Sequence, residues 1–355
     1  MKLKDSHKNS PLVSVIMPVF NRERFVGEAV QSILNQRYSN FELIIVDGGS
    51  KDKSIEIIKN FNARDNRIKI FNQMTHGIPS ARNEGIRYAQ GKYIAIMDSD
   101  DISLPERLTI QVEYMEKHPD IGVCGSSTRT FGEFVITRKF PTSDLFIKAS
   151  LLFKCPLAHP TVILRKEIID LYNIHYNQEF AFAEDYELWV KLSRITKFSN
   201  IDKILLRYRI HPNSVSTLFT QQQQKFSDAI YRLQLDALKI PLDEKKIALH
   251  QSLTAPGFEY NDDYLISINQ WLIELIEANK KERIYDDGAL VKVISDIWFD
   301  CCIKAKKSGV RSWQLFSSST LSEYIAISKI QKMEWLITCM VRIEHIVKFK
   351  RLLRI

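Results

Sequence analysis

The stretch YIAIMDSDD, residues 93–101, runs five largely apolar residues into the carboxylates Asp98, Asp100 and Asp101. The apolar half is suited to burial, whereas three like charges at close quarters repel one another and favour water. Two earlier segments have the same form, VSVIMPVFN (13–21) and FELIIVDGGS (41–50), each a β-branched apolar run with a polar tip. Helical stretches follow both, RFVGEAVQSILNQ and SIEIIKNFN, and RIKIF (67–71) reads as a further short strand. Before the third segment comes PSARNEGIRYAQG, a helix expected to start at Pro79 or Ser80 and to end before Gly91. Continuous apolar runs alternating with helices imply a parallel sheet covered on both faces. Ligands of such sheets bind outside the carboxyl ends of the strands, where Asn21, Asp47, Asp98 and Asp100 fall.

Alternate residues of an extended chain point to one side, so Asp98 and Asp100 can face one ligand. Carboxylates share a site cheaply around a divalent cation, and oxygen ligands select Mg²⁺ or Mn²⁺. An acidic turn that leads into the next helix is the plainer alternative for the same residues. Arg82, expected in the first turn of its helix, is disfavoured there by the helix dipole unless an anion such as a diphosphate lies near. Glu184 and Asp185 open the helix AEDYELWVKLSRI (183–195), where acids stabilise the dipole whatever else they do.

The remaining strands are less regular: GVCGSSTRTF, FVITRKF, TVILRKE and ILLRYRIH, some of them antiparallel. After HPNSVS (211–216) the pattern is helical to the end, which places a boundary near 216. The chain has 355 residues, enough for one large domain or two ordinary ones, and a formal net charge of +8. That charge is compatible with an anionic substrate or an acidic membrane surface and gives no reason to expect nucleic acid. Five cysteines with no Cys-x-x-Cys pair argue against a disulfide framework or a zinc knuckle and fit a reducing cytoplasm. PLVSVIMPVF near the N-terminus is read as a buried strand, since Pro18 interrupts it and NRER follows. No run approaches the length of a membrane span.

Taken in order, VSVIMPVFNRERFVGEAVQSILNQ, ELIIVDGGSKDKS, ARNEGIRYAQGKYIAIMDSDD and AEDYELWVKL closely resemble the family-2 glycosyltransferases, over roughly residues 12–216. The resemblance implies an α/β fold of the GT-A type, a Rossmann-like mixed sheet with flanking helices, followed here by a mainly helical region, 217–355. Residues 12–105 would bind the nucleotide sugar and 106–216 would form the acceptor side. The implied reaction is inverting transfer of a single hexosyl or N-acetylhexosaminyl group from a nucleotide diphosphate, UDP favoured. The acceptor would be a saccharide or lipid-linked saccharide in cell-surface polysaccharide synthesis. By the same resemblance Pro18 and Asn21 shape the nucleoside side, Asp47 contacts the base, and Arg82 and Asn83 approach the nucleotide. Asp98 matches the ribose contact, with Ser99 beside it, Asp100 the ligand of Mn²⁺ or Mg²⁺, and Asp185 the general base. His211 matches a position used near the diphosphate or metal, and His159 borders the acceptor side or belongs to the core. Position 48 is Gly where many members carry a second Asp, so either Asp52 substitutes for that acid or the second contact is missing.

A sugar-nucleotide-binding scaffold with a degenerate site is the non-enzymatic alternative. A haloacid-dehalogenase-type phosphatase would carry its Asp-x-Asp on the first strand, and a dehydrogenase would need G-x-G-x-x-G, absent here. The Gln-x-x-Arg-Trp motif of processive synthases is also absent, in keeping with one sugar per acceptor visit. Residues 329–355 hold seven Lys/Arg against Glu334 and Glu344, with Met333, Leu336, Ile337, Met340, Ile343 and Val347 at helical spacing. Such a helix either lies in an anionic membrane interface, making the protein peripheral on the inner face of the plasma membrane, or packs on the catalytic domain.

Overall fold

A computed structural model describes residues 11–212, 220–254, 260–305, 308–325 and 335. These fall into two compact units, one within Met1–Ile147 and Cys155–Ser227, the other within Lys148–Lys154 and Asp228–Ile355. The expected boundary near 216 and nearly all of the 329–355 segment lie outside the described residues.

The first unit is built on one mixed sheet. Strand β1 (Val13–Val19) pairs in parallel with β2 (Phe41–Asp47) and β4 (Tyr93–Ile96), and β2 with β3 (Ile68–Asn72). Helix α1 (Val26–Leu34), α2 (Ser54–Asn62) and α3 (Ile78–Tyr88) are the crossovers. Beyond β4 the sheet turns antiparallel through β8 (Ile163–Arg165) and β6 (Ile121–Gly132). Strand β6 then runs parallel to β9 (Lys197–Ile210), whose far side takes β5 (Ile102–Ser103). The order is β3-β2-β1-β4-β8-β6-β9-β5, with β7 (Thr137–Arg138) on β6. This is the expected α/β mixed sheet.

Alternation explains how both faces are covered. Val13, Val15, Met17 and Val19 face a core shared with Val26, Ala29, Val30 and Ile33 of α1, and with Leu108, Val112 and Met115 of α4 (Arg107–Lys117). Ile16 points the other way, against α3, where Gly85 lets helix and strand approach. Pro18 lacks an N–H, yet costs no ladder bond to β4, because that pairing ends at Ile16. Helix α3 starts earlier than expected: Ile78 is its first residue and Pro79 its second, so Arg82 lies in the second turn rather than the first. Pro at the second position gives up an N–H that has no helical acceptor. Strand β9 is also longer than ILLRYRIH; its polar start KFSNIDK carries little apolar signal but continues the pairing with β6 through a bulge.

The remaining helices of this unit are α5 (Asp144–Leu151), which runs into the second unit, α6 (Lys166–Leu171) and α7 (Glu184–Leu192). Helix α8 (Thr220–Ala237) passes from the first unit into the second at Asp228, and the rest of the second unit is helical: α9 (Glu244–Ser252), α10 (Asp262–Glu282), α11 (Asp287–Lys304) and α12 (Val310–Ser318). Residues 148–154 are tied into it by backbone carbonyls: Leu151 accepts from Gln234, Leu152 lies 2.9 Å from His250 Nε2, and Phe153 accepts from Tyr231. Among the described residues no helix is long and apolar enough to cross a membrane.

A Cβ at position 85 would come within 2.5 Å of Ile16 Cγ2, a fully buried β-branched side chain that cannot swing away. Gly85→Ala should therefore destabilise the protein. Overpacking costs about 1–3 kcal/mol, whereas the helix-propensity gain is about 1 kcal/mol. Urea denaturation should show a lower midpoint at unchanged slope.

Candidate active site

Strand ends bring the acids together. β4 stops at Ile96, and Asp98, Ser99, Asp100 and Asp101 turn across the carboxyl edge of the sheet before β5 begins at Ile102. Pairing of β5 with Leu206 and Arg207 then carries the last residues of β9 alongside. His211 Nε2 consequently lies 3.1 Å from Asp100 Oδ2, and Arg22 Nε lies 3.5 Å from the same oxygen. Arg209 donates through Nε to the Asp100 carbonyl and through its backbone N–H to Asp101 Oδ1, at 2.6 and 2.8 Å. Its other nitrogen bonds Glu28 at 2.8 Å. Arg22 and Arg209 were not read from the sequence; the basic runs NRER and RYRIH at the ends of two strands were the available signal.

Burial acts against these carboxylates. It raises the pKa of Asp98; Arg82 pulls the other way and Asp100 adds to the rise. Asp101 is almost fully buried and rises well above the usual carboxylate range, first by desolvation and then through Asp100 and Asp98. Beneath them lies Arg107, with no exposed surface, donating to the Ile96 carbonyl at 2.8 Å and to Gln111. Burial lowers its pKa to about 10, with Asp101 and Asp98 opposing that fall.

Arg82 joins this edge to a second pair of acids. Its guanidinium bonds Glu184 and, at 3.3 Å, Asp98, while the ring of Tyr176 lies 5.6 Å from its centre. Desolvation favours loss of its proton, but Glu184 and then Asp98 more than offset that, and the pKa is raised. Arg82 is thus neither a solvent-reaching arginine nor an isolated cation awaiting an anion. Glu184 is buried, and its Oε2 has no hydrogen-bond partner among the described residues. Asp185, next to it at the start of α7, is half-buried. Its pKa is pushed up to about 6, first by desolvation and then by the charge of Glu184.

The residues expected on the nucleoside side are held by their own turn. Asp47 accepts from the N–H groups of Gly49 and Ser50 and from the Ser50 hydroxyl at 2.6 Å. Asn21, with a left-handed φ of 51°, accepts from the Lys51 N–H at 2.8 Å and so ties the two strand tips together. Asp52 is committed locally, accepting from the N–H groups of Glu23 and Ser54. Asn83 exchanges two 2.8 Å bonds with the backbone of Tyr176, so its amide is occupied in fixing the loop ahead of α7. His159 is buried, edge-on to Tyr176, with Nε2 3.3 Å from the phenol oxygen; burial and the charge of Arg82 push its pKa well down. The structure thus groups Asp98, Asp100 and His211 at one edge and links Asp98 through Arg82 to Glu184, the neighbour of Asp185.

Arg22, Arg24, Arg209 and His211 line a cleft of about 530 Å³, together with Asn21, Phe25, Gly132 and Glu133. Among the described residues no three His, Cys, Asp or Glu side chains gather as a metal-binding group. Asp100 and His211 offer one hard oxygen and one imidazole nitrogen, which suits a divalent ion only if other ligands complete its shell.

This mixed sheet, with acids at its carboxyl edge, defines an α/β transferase fold of the GT-A type. A truncated S. aureus TarS in complex with UDP-GlcNAc is similar at TM-score 0.54 and 17% identity, over 82% of this chain and 88% of that one. The model of glycosyl transferase family 2 matches residues 14–171. An uncharacterised Haemophilus influenzae glycosyltransferase is 32% identical over 63% of this chain and 73% of its own. The Escherichia coli O-antigen biosynthesis glycosyltransferase WbnJ is 37% identical over 57% and 81%, respectively. Escherichia coli WfgD is 31% identical over 58% and 80%, and is named as a UDP-Glc:alpha-D-GlcNAc-diphosphoundecaprenol beta-1,3-glucosyltransferase. The chain belongs to glycosyl transferase family 2.

Removing the Arg82 cation strands a buried Glu184. Arg82→Met should cost about 3–5 kcal/mol, as for other broken buried pairs. Arg82→Met/Glu184→Gln should recover part of that loss. A double-mutant cycle by chemical denaturation checks this, and additive single losses would show that the two residues are not coupled.

Proposed function

We propose that the chain transfers a single hexosyl or N-acetylhexosaminyl group, with inversion, from a UDP-sugar to a saccharide or lipid-linked saccharide. The observation that carries this reading is the linkage of Asp98 to Glu184 through Arg82, which holds a donor-side acid and the neighbour of the base in one charge network. The names of WbnJ and WfgD support a role in polysaccharide synthesis with UDP-linked donors and lipid-borne acceptors.

On this reading Asp47 and Asn21 form the turn that receives the base, and Asp98 meets the ribose. Pro18 sets the end of β1 and Ser99 the turn beside Asp98. Arg22 and Arg209 line the cleft where an anionic diphosphate is attracted. Asp100 and His211 would hold Mn²⁺ or Mg²⁺ together with diphosphate oxygens; when bound, the ion supplies charge neutralisation for the leaving group. Asp185 takes the proton of the acceptor hydroxyl as that oxygen bonds to the anomeric carbon and the bond to the nucleotide diphosphate breaks. Asn83 acts at one remove, by holding Tyr176 and the loop that leads into α7.

A base must be unprotonated to act. With its pKa at about 6, Asp185 is protonated below that value and ionised above it. kcat/KM should therefore rise about tenfold per pH unit below 6 and level off above it, as for a single essential base in the free enzyme. Asp185→Asn keeps the side-chain oxygen that accepts from the Tyr186 N–H but should lose about 10²–10⁴-fold in turnover, with melting temperature and UDP affinity unchanged. A variant retaining wild-type turnover would remove Asp185 from the chemistry and leave Glu184 as the next choice.

The metal reading is tested without turnover. Calorimetry should give tighter UDP binding with Mn²⁺ than with EDTA, and Asp100→Asn with His211→Ala should abolish the difference. Equal affinity in both buffers for the wild type would overturn the assignment of Asp100 and His211.

A further inference from the structure

We propose that the hairpin joining β6 to β7 is a membrane contact, seating on an anionic lipid surface beside the cleft. Residues 132–139 are all exposed. Three consecutive large apolar side chains form the tip: Phe134, Val135 and Ile136, exposed at 46%, 59% and 47%. Burying such a run against water is ordinarily favoured, and consecutive exposed apolar residues at a loop tip mark an interaction site. The ribbon below is firm, since Thr130 is bonded to the backbone of both Phe134 and Ile136, and Arg129 pairs with Thr137 in the ladder. The apolar tip is therefore held out on a short ladder.

Cations surround its base. Register places Arg129 beside Arg207 on the neighbouring parallel strand, two like charges side by side. Arg138 lies one step along β7, and all three arginines are exposed. Among the described residues no carboxylate forms an ion pair with Arg129, Arg138 or Arg207. The rings of Tyr208 and Phe131 take the guanidinium faces of Arg138 and Arg207 at 5.5 and 4.4 Å and leave the charge uncompensated. Lys139 is paired with Asp202, and Glu133 is the acid at the tip. An apolar point ringed by unpaired arginines complements the acyl boundary and anionic headgroups of a bilayer, each cation adding to the attraction.

Position gives the contact its use. Gly132 and Glu133, at the start of the hairpin, also line the cleft with Arg22, Arg209 and His211. A surface that seats the tip brings a lipid-borne acceptor to the mouth of that cleft. The contact itself does not depend on the proposed reaction, and the 329–355 segment stays intact in every variant below.

The full chain is sedimented with phosphatidylglycerol vesicles and with phosphatidylcholine vesicles. The wild type should partition to the anionic vesicles, less so at raised salt. Phe134→Ser/Val135→Ser/Ile136→Ser should lower that partitioning about tenfold or more, consistent with the loss of three buried side chains. Its melting temperature should be unchanged, because the replaced groups are exposed. Arg129→Gln/Arg138→Gln/Arg207→Gln should bind more weakly and lose much of the salt dependence. Phe134→Trp adds a reporter, whose emission in excess of wild type should be quenched by lipids with brominated chains. Equal partitioning of the wild type and the serine variant, or no quenching of the added tryptophan, would overturn the proposal. So would a wild-type dimer in solution that the serine variant dissolves, since the tip would then serve self-association.

Discussion

Asp98, Asp100 and Asp101 share the end of β4 with a set of cations drawn from distant parts of the chain. Arg22 arrives from the turn after β1, Arg82 from α3, Arg107 from α4, and Arg209 from the end of β9. Three carboxylates this close are tolerable only if opposite charge is brought to them, and burial makes the need sharper because desolvation already raises Asp98 and Asp101. The sheet order meets that need. Placing β5 on β9 directs the acidic turn against Arg209, and seating α3 on Ile16 through Gly85 brings Arg82 to Asp98. The topology can be understood as the arrangement that delivers four arginines to one strand end.

Much of this was legible in residue order. The parallel half of the sheet follows from β-branched runs with polar tips, and the acids at those tips lie at the carboxyl edge as the spacing implies. The resemblance puts His211 near the diphosphate or the metal that Asp100 would bind, and the two side chains lie 3.1 Å apart. The arginines were not. An arginine in RYRIH or NRER carries no sign of the acid it will face, because that depends on strand order rather than periodicity. The start of β9 was hidden for a related reason: a polar edge such as KFSNIDK pairs by backbone, and side-chain pattern does not report it. Arg82 shows the limit most clearly. Helix-dipole reasoning looked for an anionic ligand, whereas the protein itself supplies Glu184 and Asp98.

Gly48 has a structural counterpart. A side chain there would begin 3.0 Å from Gln73 Oε1 and 3.3 Å from the Phe20 ring, and Gln73 is engaged with the Gly77 carbonyl that leads into α3. Asp52 does not replace a missing acid, since its oxygens hold Glu23 and Ser54. On the proposed function Asp47 is then the acid that this turn offers to a nucleoside, and its carboxylate is already held by the N–H groups of Gly49 and Ser50. A group held by its own backbone loses little freedom when it meets a ligand, which favours selective contact with few residues.

The same economy operates on the other side of Arg82. One guanidinium serves both Asp98 and Glu184, so any change of charge at the donor edge alters what it offers to Glu184. Glu184 in turn raises the pKa of Asp185, while Arg82 lowers it. If a bound nucleotide or cation draws Asp98 away from Arg82, the guanidinium interacts more fully with Glu184 and screens its charge from Asp185. The basicity of Asp185 would then fall as the donor site fills, through a shared ion pair with no movement of the backbone. On the proposed function, Asp185 is a base tuned in this way: strongest while the donor site is empty, and ionised at neutral pH in either state.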